Sequence, residues 1–381
     1  MKRLAIITTH PIQYNAPLFK MLSERQRVLV KVFYTWGERS SLAKFDPGFE
    51  RMVEWDIPLL NGYSFEWVKN TAKDPGSHHF TGIINPDLIE KLQQFNPNAL
   101  LVFGWSFQSH LQVLRKFAGK VNILFRGDST LLDSQSFIKR LFKKVFLRWV
   151  YKHIDKTLYV GKESKKYFIE YGLKESQLVF APHAIDNARF NFTPTLVESG
   201  NILRRKLDIP LNAVVFLFAG KLEVNKDPEI LVEAFLKLAS KDSHLVIAGS
   251  GSLEKKLKKM AGGNLRIHFP GFQNQSEMPA IYNMADVYVL PSKSETWGLA
   301  VNEAMACGKA VLVSDKCGCS SDLVKDGVNG YVFKTGSVSA LADRLQGMTN
   351  KSLLSSFGTA SHNIIQHYSF EQVCKAIEDN S

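Results

Sequence analysis

Short apolar runs recur along the whole chain, and each is followed by a polar or glycine-containing turn and then by a segment of helical periodicity. Repeated strand–turn–helix units of this kind build parallel sheets that carry helices on both faces. The first set of predicted strands is Leu4–Thr9, Leu29–Tyr34, Ala99–Phe103, Val121–Phe125, Thr157–Val160 and Leu178–Ala181. The second set is Ala213–Ala219, Leu245–Ala248, Arg266–Phe269, Val287–Leu290, Ala310–Val313 and Gly330–Phe333. The chain is therefore predicted to be an α/β protein with two doubly wound parallel-sheet domains.

The length of 381 residues also favours two domains, because single hydrophobic cores rarely grow to this size. The segment 191–210 is mixed and polar and contains two prolines and a glycine, which is typical of a domain boundary. We predict an N-terminal domain at 1–190, a C-terminal domain at 191–362 and a final helix at 363–381 that packs back toward the N-terminal domain. Ligands of such sheets bind beyond the carboxyl ends of the strands, so the binding site is expected in a central cleft that the domains face.

The cysteine spacing and the hydropathy of the chain indicate in which cellular compartment the protein is expected. The four cysteines lack the paired spacings of a zinc ribbon or a disulfide framework, which favours a reducing, cytoplasmic setting. The apolar run after Met1–Arg3 is too short for a signal peptide, and no run approaches the roughly 18 to 20 residues of a membrane span. We expect a cytoplasmic protein that is soluble or peripheral at the inner face of the membrane.

The net charge of +12 is concentrated in the first half, where residues 1–190 hold 28 Lys and Arg against 17 Asp and Glu. Such an asymmetry indicates attraction to an anionic partner. The segment 137–152 spaces basic residues at helical intervals among apolar ones, so it is either a helix on an anionic membrane or a core helix with a basic stripe facing water. Nucleic acid is not an expected partner, because the aromatic residues sit in apolar runs.

Two lysines flank the turn that follows the strand Ala213–Ala219. Lys221 and Lys226 are positive charges on flexible stems that suit phosphate oxygens, and Gly220 allows a ligand to approach the backbone closely. The alternative is that both lysines are only solvated loop residues.

A second loop follows the strand Val287–Leu290 and leads into a predicted helix, Leu299–Ala306. The free amides at the helix start, those of Gly298 and Leu299, form an anion site where a diphosphate can rest. Glu295 precedes this anion site and Glu303 follows it.

The spacing of Glu295 and Glu303 argues against a glycoside hydrolase. Eight helical residues span about 12 Å, whereas the two carboxylates of such an enzyme lie roughly 5 to 9.5 Å apart. A nucleotide sugar, with hydroxyls at both ends and a diphosphate between them, fits the spacing better. The alternative is that Glu295 is an acid favoured by the helix dipole and Glu303 is an exposed helix residue.

These motifs resemble glycosyltransferase family 4, whose members have the GT-B fold of two Rossmann-like domains around a deep cleft. The resemblance covers most of the chain and is strongest from Phe218 to Phe333. The matching motifs are Gly220-Lys221-Leu222 with Lys226, Pro270-Gly271-Phe272, Ala285-Asp286-Val287, Glu295-x-Trp297-Gly298-Leu299, Glu303-Ala304-Met305-Ala306 and Gly327-x-Asn329-Gly330.

The resemblance implies a retaining transfer of a hexose-type sugar from a UDP- or GDP-sugar to a glycan or lipid-linked acceptor, in surface polysaccharide biosynthesis and without a metal or other cofactor. It implies that Glu295 contacts the donor sugar, that Glu303 accepts hydrogen bonds from the ribose, and that the lysines neutralise the leaving phosphates. The implied donor-binding residues are Gly220, Gly271, Phe272, Trp297, Gly298, Leu299 and Glu303. The implied acceptor-side residues are His10, Gln13, Tyr14 and Asp128.

Arg126 stands where many relatives carry a histidine that touches the donor sugar. It is counted with Glu295, Lys221 and Lys226 as a predicted catalytic residue, with Asp128 orienting it. The alternative is an Arg–Asp pair that only stabilises a loop. Two further functions stay open at this point, a GT-B nucleotide-sugar epimerase or hydrolase and a non-catalytic nucleotide-sugar-binding protein.

Overall fold

The computed structural model describes residues 1–41, 43–133 and 136–381. The strands are β1 (Lys2–Thr8), β2 (Val28–Tyr34), β3 (Lys44–Asp46), β4 (Arg51–Val53), β5 (Ser64–Trp67), β6 (Ala99–Phe103), β7 (Asn122–Gly127), β8 (Lys156–Tyr159), β9 (Leu178–Phe180), β10 (Val214–Ala219), β11 (Ser243–Ala248), β12 (Ile267–Gly271), β13 (Val287–Leu290), β14 (Ala310–Ser314) and β15 (Gly330–Phe333).

The α-helices are α1 (Ala16–Glu24), α2 (Leu88–Phe95), α3 (Gln108–Phe117), α4 (Phe137–Tyr151), α5 (Lys162–Glu170), α6 (Pro194–Lys206), α7 (Pro228–Leu236), α8 (Glu254–Ala261), α9 (Met278–Asn283), α10 (Leu299–Ala306), α11 (Ser320–Leu323), α12 (Val338–Gly347), α13 (Lys351–Ile365) and α14 (Phe370–Asn380). Short 3-10 helices lie at Glu38–Ser41, Phe80–Gly82, Glu175–Gln177 and Val224–Lys226.

The chain forms two compact units, and each unit consists of segments that are not consecutive in the sequence. The first unit comprises Met1–Lys44, Ile57–His183 and Phe370–Ser381, and the second comprises Phe45–Asp56 and Ala184–Ser369. The second unit thus begins before the expected boundary at residue 191, and the C-terminal helix α14 is part of the first unit. We call the excursion Phe45–Asp56, which contains most of β3 and all of β4, the arm.

The first unit is built on a seven-stranded parallel sheet in the order β5-β2-β1-β6-β7-β8-β9. Helices cover both faces, so the inner strands are apolar throughout; β6, for example, is buried at four of its five positions. Helix α14 packs on α1 and β9 and contributes Val373 and Ile377 to the core. The bidentate hydrogen bonds of Arg25 to Glu378 fasten its last turn to the end of α1.

The second unit carries a six-stranded parallel sheet in the order β12-β11-β10-β13-β14-β15. Its central strand β10 is buried at every position, because helices pack on both sides of it. The α/β class with two Rossmann-like parallel sheets is therefore confirmed. Loops after β10, β11, β12 and β13 leave the same edge of this sheet, which places the motif residues close together.

Every strand predicted from an apolar run is present, with ends shifted by at most two residues. The sequence did not indicate β3, β4 or β5. Strand β5 is an edge strand whose residues are exposed or half-buried, so its composition lacks the apolar run of an inner strand.

Candidate functional site

We call the edge of the second unit's sheet where the strands have their carboxyl ends the ligand edge. The start of helix α10 lies at this edge, as the sequence predicted. Gly298 caps the helix in the left-handed conformation with φ of 101°, and the described residues supply no side-chain cap. A Cβ at this position would lie 2.7 Å from Cδ2 of Leu290, so the turn requires glycine. The first-turn amides, including that of Leu299, have no carbonyl one turn earlier and carry the positive end of the helix dipole.

Glu303 lies within α10 and is 3% exposed. The hydroxyl of Tyr282 donates to its Oε2 at 2.7 Å. The alternative of an exposed helix residue is therefore wrong. A buried carboxylate is costly unless polar groups surround it, so this position is built to receive hydrogen bonds.

Lys226 and Glu295 meet directly. They belong to the loops after β10 and β13 and form an ion pair and a hydrogen bond between Nζ and Oε2. The same two loops are joined again by Lys293, whose amide donates to Asn225 O at 2.8 Å and whose Nζ lies 3.0 Å from Asp227 Oδ1. The lysine loop is thus held beside the residues that lead into α10.

Lys221 is paired with Asp46 of the arm. Its Nζ lies 2.9 Å from Asp46 Oδ1, and the amides of Gly48 and Phe49 donate to the same carboxylate oxygen at 2.8 and 3.1 Å. Burial alone would raise the pKa of Asp46, but the hydrogen bonds from Lys221 and these amides lower it below its ordinary value. The carboxylate is therefore ionised throughout the neutral range.

The segment expected to contact the base is also covered by the arm. The ring of Phe49 meets Phe272 edge-on at 5.0 Å between centroids, and the guanidinium of Arg51 lies 4.3 Å from the Phe272 centroid. Gly271, at the end of β12, accepts through its carbonyl from the amide of Gly249 at 2.8 Å. The backbone of Gly220 packs against Gly249, because a Cβ on Gly249 would fall 1.9 Å from the carbonyl oxygen of Gly220.

Trp297 is buried just before the start of α10. It is 2% exposed, and its indole N–H donates to Asn302 Oδ1 at 2.9 Å. In this position Trp297 supports the loop from inside the unit, and the contact with the donor that the motif implies stays a prediction. The cysteines nearby, Cys317 and Cys319, are fully buried and not bridged, and burial raises the pKa of Cys317 to about 12.

Arg126 ends β7 in the first unit and is 7% exposed. Its two terminal nitrogens donate to the carbonyls of Ala181 and Pro182, each at 2.9 Å. Burial lowers its pKa to about 10, and the nearby charge of Asp128 opposes that shift. The guanidinium therefore holds the backbone after β9, which agrees better with the loop-stabilising alternative than with a contact to donor phosphate.

The other residues expected on the acceptor side lie at the same edge of the first unit's sheet. His10, Gln13 and Tyr14 are half-buried in the loop between β1 and α1, where Thr9 Oγ1 lies 2.9 Å from His10 Nδ1. Asp128 follows β7, with Oδ2 3.9 Å from Nε2 of His183. Burial, followed by the charge of Arg126, lowers the pKa of His183 to about 4.

Helix α4 presents an apolar face to the outside in its first three turns. The exposed residues are Phe137, Ile138, Leu141, Phe142, Val145 and Phe146. Only the end of the helix is buried, through Leu147, Val150 and Tyr151. The expectation of a core helix with a basic stripe toward water therefore holds for the last turn alone. No helix in the described part of the chain is long and apolar enough to cross a membrane.

One group of side chains in the described ranges is spaced so that it could hold a metal ion. It comprises Asp74, His78 and His79 in an exposed loop of the first unit.

The structure thus joins Lys226 to Glu295, places both near the start of α10 and adds the arm to the same set of loops. Reasoning from sequence missed Asp46, Phe49 and Arg51. The dipeptide Pro47-Gly48 signals a turn, but nothing local indicates that Asp46 meets a lysine 175 residues away.

The match to a known protein family lies in the second unit. Residues 200–362 match the family model described as glycosyl transferases group 1. An uncharacterized glycosyltransferase of Methanocaldococcus jannaschii is 31% identical over 45% of this chain and 45% of that protein. The lipopolysaccharide 1,2-N-acetylglucosaminetransferase of Salmonella typhimurium is 28% identical over 59% of this chain and 61% of that protein. The chain spans about half of the length of the curated relatives it matches.

Solved structures resemble the whole chain. Sucrose-phosphate synthase from Thermosynechococcus elongatus gives a TM-score of 0.74 at 16% identity and covers 100% of this chain and 98% of its own. HepE of Anabaena in complex with UDP gives 0.73 at 18% identity and covers 100% and 99%. These likenesses confirm the GT-B fold class.

Proposed function

We propose that this chain transfers a hexose-type sugar from a UDP- or GDP-sugar to a glycan or lipid-linked acceptor. The match of residues 200–362 to the family model described as glycosyl transferases group 1 supports this proposal. The observation that carries the proposal is the grouping of Lys221, Lys226 and Glu295 with the start of α10 at one edge of the sheet. Positive groups and a carboxylate together match a ligand that is a diphosphate at its centre and a polyol at its end.

The nucleoside end of the donor is assigned to Glu303. Its carboxylate is buried and already accepts from Tyr282, so it is fixed in orientation before the ligand arrives. Ribose hydroxyls donate, and a carboxylate is the strongest neutral-pH acceptor for them. The backbone around Gly271 and Phe272 is assigned to the base.

The chemical step develops negative charge on the leaving diphosphate. Lys226, Lys221 and the first-turn amides of α10 supply a fixed positive field where that charge appears, which is the role a metal ion plays in other transferases. We infer a metal-independent reaction. In a front-face, retaining transfer the bond from the anomeric carbon to the phosphate oxygen breaks, the acceptor oxygen bonds on the same face, and the acceptor proton passes to the departing phosphate.

Surface polysaccharide synthesis is the proposed setting, supported by the lipopolysaccharide transferase among the relatives. Helix α4 supports attachment to an anionic membrane at its inner, cytoplasmic face. Its exposed apolar residues lie beside Lys139, Arg140, Lys143 and Lys144. Arg140 and Lys144 share Glu170 at 3.0 and 3.1 Å, so the face keeps a positive excess. A lipid-linked acceptor would be presented there.

The proposal is tested first by nucleotide binding. Lys226→Ala removes a charge-assisted contact worth roughly 1.5–3 kcal/mol, so its Kd for UDP or GDP should rise about ten- to a hundredfold in calorimetry. Lys258→Ala is the control, because Lys258 pairs with Glu254 on an exposed helix face. An unchanged Kd in Lys226→Ala contradicts the proposed donor site.

The reaction itself is tested by product analysis. With UDP- or GDP-sugars and glycan acceptors, transfer should require the acceptor and should be lost in Glu295→Gln. Epimerised donor, or release of free sugar at the same rate without acceptor, would identify the epimerase or hydrolase instead. Donor binding without any turnover would identify the non-catalytic alternative.

A further inference from the structure

The arm crosses three loops at the ligand edge of the second unit. Ser250 Oγ, after β11, donates to Phe49 O at 2.8 Å; Lys221, after β10, binds Asp46; and Phe272, after β12, packs on Phe49 and Arg51. These are the loops to which the proposed function assigns the phosphates and the base. A segment from the first part of the sequence thus occupies the edge where the donor is expected.

We propose that the Asp46 carboxylate is a built-in substitute for a donor phosphate at Lys221, and that a nucleoside diphosphate displaces it on binding. The inference rests on the proposed function, because it concerns the same donor site. It makes Asp46 a residue that sets donor affinity.

The surroundings of Asp46 are those of a bound anion. One lysine ammonium and two backbone amides, those of Gly48 and Phe49, converge on the carboxylate. Lysine and successive amides of a turn are also the groups that bind phosphate oxygens in proteins. Asp46 forms an ion pair with Lys221, just as Glu295 forms an ion pair with Lys226.

The arm packs closely against Lys221. A Cβ on Gly48 would fall 2.5 Å from Cδ of Lys221, so the lysine stem runs against the arm backbone. A Cβ on Gly251 would fall 2.7 Å from the Gly48 carbonyl oxygen. A phosphate that approaches the Lys221 ammonium therefore competes with the Asp46 carboxylate that already binds it.

The far end of the arm is attached separately. Asn274 Nδ2 donates to Glu54 O at 2.8 Å, and the amide and hydroxyl of Ser276 both donate to the carboxylate of Asp56. Neither contact involves Lys221. The Asp46 end can therefore be released while the Asp56 end keeps the arm on the unit.

The arm also carries a charge-matched control. Glu50 is an exposed acid between Asp46 and Asp56, in the turn that joins β3 to β4. Removing its charge changes the net charge of the arm by the same amount as removing that of Asp46. Only the Asp46 change removes the contact to Lys221.

Calorimetric titration with UDP and with GDP tests the exchange. Asp46→Asn should bind the nucleotide on the order of tenfold more tightly than the unaltered chain, because Lys221 no longer has to leave a carboxylate. Glu50→Gln should stay within about threefold. In a Lys221→Met background, the further change Asp46→Asn should have no effect, since the two residues then have no contact to lose. Hydrogen exchange at the amides of Gly48 and Phe49 should speed up when the nucleotide is added.

The outcomes distinguish a failure of the proposed displacement from a failure of the proposed function. If a nucleotide binds but Asp46→Asn binds it equally or more weakly, the displacement is wrong. If the gain persists in the Lys221→Met background, it does not arise from the Asp46–Lys221 contact and the inference also fails. If neither UDP nor GDP binds any variant, the proposed function fails and the inference falls with it.

Discussion

At the scale of single residues, the start of α10 depends on one backbone conformation. Gly298 adopts a φ of 101° and lies against Leu290 on one side and Glu295 on the other. This turn aims the first amides of the helix toward the ligand edge and sets the position from which Glu295 reaches Lys226. A side chain here would disturb both.

Gly298→Ala should lower the free energy of unfolding by roughly 1–3 kcal/mol, because a non-glycine residue is strained at this φ and its Cβ meets Leu290. It should also weaken UDP or GDP binding. Gly347→Ala is the control, since Gly347 ends α12 and a Cβ there meets nothing within 4 Å. Chemical denaturation and calorimetry measure the two effects, and equal stability of both variants would contradict the strain argument.

The sequence indicated where the turn ends and the helix begins, but it did not indicate which side chains around the turn are buried. Glycine before an apolar helix is a local signal, so the helix bounds Leu299–Ala306 were predicted as observed. The burial of Glu303 depends on Tyr282, which reaches it from another helix. The indole of Trp297 turns inward for the same kind of reason, because its partner Asn302 is itself buried.

At the scale of elements, α4 differs from every other helix of the first unit in the size of its exposed apolar face. Phe137, Phe142 and Val145 are 80, 73 and 66% exposed, and basic residues lie next to them. Burying such a face in a lipid surface removes apolar area from water, and the lysines and arginines gain attraction to anionic headgroups.

The double variant Phe142→Ser with Val145→Ser should bind vesicles containing phosphatidylglycerol at least tenfold more weakly than the unaltered chain. Its melting temperature should hardly change, because both side chains are largely exposed. Leu265→Ser, at a residue that is 88% exposed in the second unit, is the control. Co-sedimentation with phosphatidylglycerol and phosphatidylcholine vesicles measures the binding, and equal binding of the double variant would remove α4 from the proposal.

Inner strands were predictable and the arm was not, for one physical reason. An inner strand such as β10 needs apolar residues at every position, so it is visible in the sequence by itself. The arm is largely exposed and mixes apolar with charged residues, and its place is fixed by single contacts such as Asp46 to Lys221 and Asp56 to Ser276. Contacts between distant segments leave no periodicity that a single sequence can show.

At the scale of the whole molecule, acid should weaken the first unit through a buried histidine. His110 is fully buried, and its ring nitrogens contact Thr35 Oγ1 and the carbonyls of Phe103 and Gly104. Burial lowers its pKa from 6.5 to about 4. The unfolded chain therefore takes up a proton before the folded one does, so stability is complete above about pH 6.5 and falls as the pH drops toward 4.

His110→Gln should flatten this dependence by up to about 3 kcal/mol between pH 6.5 and 4, since 2.5 pKa units correspond to that free energy. The comparison concerns the slope with pH, because the substitution also changes packing. His78→Gln, at an exposed position of the same unit, should keep the original slope. Denaturant titrations at several pH values measure it, and an unchanged slope in His110→Gln would show that other groups cause the acid sensitivity.

The order in which the chain supplies the two units has a consequence for its synthesis on the ribosome. All of the second unit, the arm included, precedes residue 370, whereas the first unit still lacks α14 at that stage. Three residues of α14 complete the first unit after all of the second unit has been made: Val373 and Ile377 close part of its core, and Glu378 binds Arg25. Until α14 is made and packs on α1 and β9, the N-terminal sheet keeps an uncovered apolar surface. A chaperone that binds nascent chains would be expected to recognise this surface of the first unit.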